Sequence, residues 1–443
     1  MSKIMTNSPA NAKPVLFENA RIIDPAGEKD EIGGLLMAGG KILAAGANAH
    51  NQGAPEGTEI RNLDGLAIIP GLIDTRCFIG AADSLAEENL ETTRSAAAAG
   101  GVTSLIAIGE KRGKNCDNPA EIKTLRDSNK ENNGAVIYPA GALTKGMAGQ
   151  ELAEFGLMKA AGAIALADGQ ETHRSSAVLR RAFLYAKNCG LPVIMETQNA
   201  DLSRHAVATE SFKADIMGLP SAPAEAETIA LARDLELAHM TGVRYHAAHI
   251  STARAAALIK RAKAKGLPVS AAASINSISL NEQDIGNYDS AYRLFPPLRS
   301  EEDRKALIEA LRDGTIDCIT SCHQPRCDDA KLRPFAEAAA GAVGLESLLP
   351  AALRLYHNDE ISIMRLVQAL SVKPAQLFGI KGGSLQKNTD ADFVILDIDR
   401  VWQFDRNKLH SACKNTAFDK ARFEGAILET YKNGRRIYRN AAF

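Results

Sequence analysis

An α/β fold, a (β/α)8 barrel carrying a small β-sandwich assembled from both termini, is what these 443 residues predict. Two observations carry it. Apolar and polar residues alternate, with breaks at Gly and Asp-Pro, in VLFENARIID and GGLLMAGGKILAAG near the start, and similar writing returns in DADFVILDID and GAILETYKNGRRIY near the end. That is the period of half-buried strands in hairpins. Between them one phrase recurs, in which a helical stretch ends in Gly and an apolar run follows. Gly just past a helix, then a buried strand, is the αβ turn of a parallel sheet.

Taken in order, residues 1–14 (MSKIMTNSPANAKP) are polar, lack the apolar stretch of a signal peptide and read as a disordered tail. Residues 15–68 and 385–443 form the composite sandwich, the latter with a hairpin turn at Asn433-Gly434. Residues 69–384 form the barrel. Its strands lie in LAIIPGLIDTRC, AAAAGGVTSLIAIG, GAVIYPAGAL, KAAGAIALADG, KNCGLPVIMET, MTGVRYHAAHIS, KAKGLPVSAAAS and LRDGTIDCITSC. Segments such as AETIALARDLELAHM and EEDRKALIEALRD repeat apolar residues at the three-to-four spacing of surface helices. Chemistry in this architecture sits at the C-terminal strand ends.

Composition narrows the function. Lys plus Arg number 52 against 53 for Asp plus Glu, so no field is built for nucleic acid or an anionic membrane surface. Seven cysteines without C-x-x-C spacing argue against a disulfide framework or a zinc ribbon and suit a reducing cytoplasm. No run of about 18 apolar residues suggests a membrane span.

The strand ends present Asp74, Arg76 and Phe78; then Glu110 and Lys111; Asp168; Glu196; His246 and His249; Asn276; and finally Cys322, His323 and Arg326. His246 and His249 are three apart and in a strand face opposite ways, so both cannot aim into the barrel. His249 is the better candidate ligand, and a hydrogen-bonded structural role is its alternative. Cys322 is either a soft-metal ligand or a core residue. Glu196, a carboxylate in an apolar run, needs a partner. Arg76 can supply it, and an Arg cannot shed its proton to make room for a dication. A salt bridge from Arg76 to Glu196 or Asp74 would fill the centre of the barrel mouth with protein charge.

Longer phrases resemble the dihydroorotases of the amidohydrolase superfamily over nearly the whole chain: GLAIIPGLIDTR, YPAGALTKGMAGQELAEFGLMKAAGA, YHAAHIST, FPPLRSEEDRKALIEALRDGTIDCI and CKNTAFDKARFEGAILETYKNGRRIY. The resemblance implies a barrel plus composite β-sandwich and a zinc enzyme of pyrimidine biosynthesis that interconverts carbamoyl-aspartate and dihydroorotate. Carried over residue by residue, the active site is largely replaced. The first-strand H-x-H reads Arg76 and Phe78, and the substrate-binding Arg two positions on is Gly80. The substrate-binding Asn is Glu110, the fifth-strand metal His is Glu196, and of the two Asp often found at the fourth strand Asp168 stands. His249 keeps the sixth-strand metal His. In the eighth-strand D-H-A-P-H, the catalytic Asp is Cys322, His323 is kept, and the last, substrate-holding His is Arg326.

Losing the metal's anchor would leave water near its ordinary pKa of ~15.7 instead of ~7, and losing the Asp removes a proton shuttle contributing ~10²- to 10⁴-fold. A buried thiol without a cationic neighbour stays protonated, so Cys322 is not expected to replace that Asp. The family includes members that lack the metal ligands and serve as structural partners of aspartate carbamoyltransferase, and the T-R-C-F-I-G form of Thr75–Gly80 is similar to that branch. The leading expectation is such a non-catalytic, metal-free, cytoplasmic partner in a homo- or hetero-oligomer. An active cyclic amidase using Glu196, His249, Cys322 and His323 around zinc is one alternative. A sensor holding a small anion on Arg76, Glu110, Lys111 and Arg326 is another.

Overall fold

The barrel strands are Leu72–Phe78, Val102–Ile108, Val136–Gly141, Ala165–Leu166, Val193–Met195, Tyr245–Ile250, Val269–Ser274 and Cys318–Thr320, paired in parallel and in chain order. The computed structural model describes residues 13–49, 53–79, 88–111, 116–130 and 134–441. The last strand returns to the first. Phe78 N donates to the His323 carbonyl at 2.9 Å, and Asp74 accepts from Thr320 Oγ1 at 2.6 Å and from Ser321 N at 3.0 Å. Every residue of the first, second, sixth and seventh strands is buried, as strands covered on both faces must be.

Helices Leu90–Ala99, Pro119–Asp127, Phe155–Ala161, Ser176–Cys189, Glu225–Thr241, Ala253–Ala264 and Glu301–Arg312 fill the successive crossovers, and Leu348–His357 follows the last strand. Their apolar stripes explain the packing. In Ser176–Cys189 the buried residues are Val178, Leu179, Ala182, Phe183 and Ala186, a single face at three-to-four spacing. Gly190 and Gly242, both at φ 67°, end two of these helices in the left-handed region and turn the chain toward the next strand. Ser300 caps Glu301–Arg312 through the Asp303 amide, with Glu301, Glu302 and Asp303 in the first turn. Such a cap contributes about 1 kcal/mol, and the acids favour the positive end of the helix.

Both termini enter one separate eight-stranded sheet. Its order is Arg435–Arg439, Arg422–Lys432, Phe393–Gln403, Ala67–Pro70, Val15–Asp24, Lys29–Ala38 and Lys41–Gly46, with Glu59–Asn62 also paired to Val15–Asp24. Glu59–Asn62 and Ala67–Pro70 run parallel to Val15–Asp24, a departure from purely antiparallel hairpins. Phe17 meets the rings of Phe393 and Tyr431 at 5.5 and 5.7 Å, which gives this layer its own core. Asn433 and Gly434, at φ 49° and 73°, make the turn that suits the twist of a hairpin.

The phrase LAIIPGLIDTRC divides between the two layers. Ala67–Pro70 pairs with Phe393–Leu396 in the terminal sheet, and the first barrel strand starts at Leu72. A Cβ at the intervening Gly71 would lie 2.4 Å from the Thr103 side chain, so the switch requires glycine. Of the tail 1–14, residues 1–12 lie outside the described residues, while the Pro14 carbonyl already accepts from Glu59 N at 2.9 Å.

Candidate functional site

Four side chains from four strand ends form a continuous buried chain across the barrel. Arg76 and Phe78 sit two apart in the first strand and share its inner face. The Arg76 guanidinium lies 4.8 Å from the centre of the Phe78 ring, and its Nη2 is 3.2 Å from Glu196 Oε2. Glu196, just past the fifth strand, holds His249 Nε2 at 3.0 and 3.2 Å through its two oxygens. His249 Nδ1 in turn lies 3.0 Å from Cys322 Sγ. Asp74, the other partner foreseen for Arg76, is bound instead to Thr320 and Ser321, and its contact with Arg76 is to the backbone N at 3.4 Å. His246 lies apart from this chain, 2.8 Å from Ser270 and packed on Phe378, which belongs to the same cluster as Phe78 and Ala248. A register shift between Ala247 and Ile250 breaks the strict alternation expected of His246 and His249.

Burial alone would raise Glu196, but His249 and then Arg76 outweigh it and hold the carboxyl below its usual range. Burial alone would lower His249, yet Cys322 and Glu196 on its two ring nitrogens drive it upward. Burial alone would raise the Cys322 thiol, and the charges of His249 and Arg76 bring it down instead. This corrects the premise that the thiol has no cationic neighbour: His249 supplies one from a strand distant in sequence. Along this chain a guanidinium, a carboxylate, an imidazole driven upward and a thiol brought down follow one another, so that protein groups compensate one another's charge in a low-dielectric interior.

This donor set does not fit the zinc that the resemblance implies. Arg76 brings a permanent positive charge to the space, and both nitrogens of His249 are engaged by protein groups. Among the described residues no group of three or more His, Cys, Asp or Glu side chains converges as ligands would.

A second tier covers the mouth. Glu110 and Arg326 form a bidentate pair at 2.5 and 3.1 Å, and burial, which would raise Glu110, is outweighed by that guanidinium. Gln324 donates to Glu110 at 3.2 Å and accepts from Gln170 at 2.6 Å. The Arg326 backbone N donates to Asn415 Oδ1 at 3.1 Å, so the KNTAFD phrase near the C-terminus braces the barrel mouth.

Other expected site residues have different tasks. Asp168 accepts from Leu143 N at 2.6 Å and Thr144 N at 3.1 Å, anchoring the loop after the third strand. His173 Nε2 lies 3.1 Å from Asp168 but is poorly aligned for a hydrogen bond. Lys111 reaches Glu171 at 3.3 Å near the surface, apart from the buried chain. Burial lowers His323, whose Nδ1 accepts from Gly344 N at 3.2 Å. Asn276 lines the cavity beside His249 and Cys322. Gly80 lies outside the described residues. Sequence reasoning missed Gln170 and Gln324, since a neutral amide gives no charge signal, and Ser274, which faces Cys322 from the seventh strand.

The chain matches the amidohydrolase family over residues 67–437. Dihydroorotase from Anaeromyxobacter dehalogenans is 35% identical over 428 residues, covering 96% of this chain and 98% of that protein. A dihydroorotase-like protein from Pseudomonas aeruginosa is 37% identical over 386 residues, covering 86% and 90%. Among solved structures, L-hydantoinase (dihydropyrimidinase) from Arthrobacter aurescens superposes with a TM-score of 0.83 over 96% of both chains at 23% identity, a likeness of fold. With dihydroorotases alike along almost its full length and a family match spanning the barrel, the chain belongs to the amidohydrolase family as a dihydroorotase-like protein.

Proposed function

We propose that this is a catalytically degenerate, metal-free member of its family, a cytoplasmic protein of pyrimidine biosynthesis that acts as a structural partner of aspartate carbamoyltransferase. The observation that carries the degeneracy is the Arg76–Glu196 pair, 3.2 Å apart and nearly inaccessible, in the space where the resemblance puts a zinc centre. A zinc-bound hydroxide needs an open coordination position and unshared ligands, whereas this pair and the His249–Cys322 contact engage the available groups with one another. The partnership rests on the similarity of the Thr75–Gly80 segment to the non-catalytic branch and on an otherwise conventional barrel. No helix of the described residues is long and apolar enough to cross a membrane.

Elemental analysis, a dihydroorotate hydrolysis assay and size-exclusion chromatography with aspartate carbamoyltransferase from the same organism test the proposal. Substoichiometric zinc, no turnover and co-elution are expected, with an interface of at least about 1,000 Å². Stoichiometric zinc with turnover would overturn the degenerate reading. Separate elution at micromolar concentration would overturn the partnership.

A further inference from the structure

We infer that Cys322 is a nucleophilic, oxidisable cysteine that reacts with small uncharged hydroperoxides, hydrogen peroxide above all, and is held in that role by His249 and Glu196. The inference goes beyond the structural role proposed above. Three features of the site point to it.

The thiol belongs to a relay in which a nucleophile touches one ring nitrogen and a carboxylate orients the ring through the other. Sγ to Nδ1 is 3.0 Å, and Nε2 to Glu196 is 3.0 Å. That is the general geometry of an activated nucleophile. Cys322 also sits at φ 48°, in the left-handed region that non-glycine residues avoid. Such backbone strain costs on the order of 1–3 kcal/mol and persists where the surroundings enforce it, often at functional positions. Finally, Cys322 borders a cavity of about 10 Å³ together with His249, Ser274, Asn276, Phe295 and Gln324. A space of that measure holds about one water-sized molecule, and Gln324 ties it to the Glu110–Arg326 cover. The enclosure suits a small neutral reagent and opposes bulky or charged ones.

The step balances. Cys322 Sγ attacks one oxygen of H–O–O–H, an S–O bond forms and the O–O bond breaks. Sulfur is oxidised by two electrons and the peroxide is reduced. The departing hydroxide takes the proton from His249 Nδ1 and leaves as water, while the attacked oxygen keeps its hydrogen. The products are a Cys322 sulfenic acid and a neutral imidazole still bonded to Glu196. Sulfenic acids are returned to thiols by other thiols.

The remaining cysteines provide internal controls. Cys189 and Cys327 are more accessible than Cys322, whereas Cys77 and Cys318 are buried and burial pushes their thiols well up. Access alone therefore ranks Cys189 and Cys327 first, and the relay ranks Cys322 first. The full-length protein would be exposed briefly to hydrogen peroxide at pH 7, quenched with catalase, denatured and alkylated, and each cysteine's loss of alkylation mapped by mass spectrometry. Cys322 should be oxidised several-fold faster than Cys189 and Cys327 although it is less accessible than either. His249→Asn should remove about tenfold or more of that rate. Faster oxidation of Cys189 or Cys327, or an unmodified Cys322, would overturn the inference. Should His249→Asn fail to fold, the ranking within the unmodified protein still decides.

Discussion

Arg76 Nη2 lies 3.2 Å from Glu196 Oε2 with both side chains essentially sealed from solvent, so the first and fifth strands of the barrel are joined by charge where the resemblance calls for metal. A buried cation and carboxylate are costly to desolvate, and their attraction offsets that cost only when further polar partners complete the set. Here His249 supplies the completion for Glu196, and the Phe78 ring faces the guanidinium. The cluster is consequently a unit, and its members should not behave independently.

Arg76→Met should be strongly destabilising, by about 3–5 kcal/mol, because it leaves Glu196 buried with one cation fewer. The double variant Arg76→Met with Glu196→Leu should be less unstable than the sum of its singles, since both charges leave together. Urea unfolding of the four proteins measures the coupling. Strict additivity, within about 0.5 kcal/mol, would show that the two residues do not act as a unit.

The cover over the mouth predicts an access effect. Glu110→Ala removes the acceptor of Gln324 Nε2 and of both Arg326 Nη groups, and Gln324 lines the cavity that Cys322 borders. The rate at which a bulky neutral maleimide labels Cys322 should rise several-fold while labelling of Cys189 is unchanged. Equal rates in variant and parent would mean that the Glu110–Arg326 pair does not control entry.

Much of this was legible in the sequence, and what was not has identifiable causes. The eight strands and crossover helices announce themselves through Gly-terminated helices and short apolar runs, since each signal is local. The demand of Glu196 for a cation was equally legible, because a carboxylate in an apolar strand cannot stand alone. The division of LAIIPGLIDTRC between two layers was hidden, as a single Gly71 inside an apolar run gives no strong turn signal. The downward pull on the Cys322 thiol was hidden for a different reason: its main source is His249, 73 residues away in the chain, and only the closing of the barrel brings them together. Gln170 and Gln324 likewise acquire meaning only as neighbours, 154 residues apart.

The His249–Cys322 pair predicts an unusual pH profile of stability. His249 is raised from 6.5 to about 9, so its contribution is fully present below pH 6.5 and fades as pH rises through about 9. Cys322 is lowered from 9.0, so its contribution is fully present above pH 9 and fades as pH falls through its folded value. Where these ranges overlap below pH 9 the two slopes oppose, because His249 loses its contribution as pH rises while Cys322 gains its own. Relative to Cys322→Ser, which removes one slope and leaves His249 beside Glu196, the parent protein should have a flatter stability curve across that window. Parallel curves from denaturant titrations at intervals of pH would count against a shared proton.

Restoring the first strand alone should not restore hydrolysis. Arg76→His with Phe78→His would return two imidazoles to the inner face of that strand, yet it would also remove the cation opposite Glu196 and a ring from the apolar cluster around Ile106 and Ala140. Glu196 would still occupy the fifth-strand position and Cys322 would still stand in place of the proton-shuttling carboxylate. Glu110 and Arg326 would still close the mouth on each other at 2.5 Å. Each of these deficits acts on a different requirement: metal coordination, proton transfer and substrate entry. Curing one leaves the product of the others, and the expected outcome is no dihydroorotate turnover above background even with added zinc. Turnover at an ordinary enzymatic rate, about 1–10³ per second, from the double variant would show that the first-strand pair was the sole deficit and that the remaining replacements are compatible with catalysis.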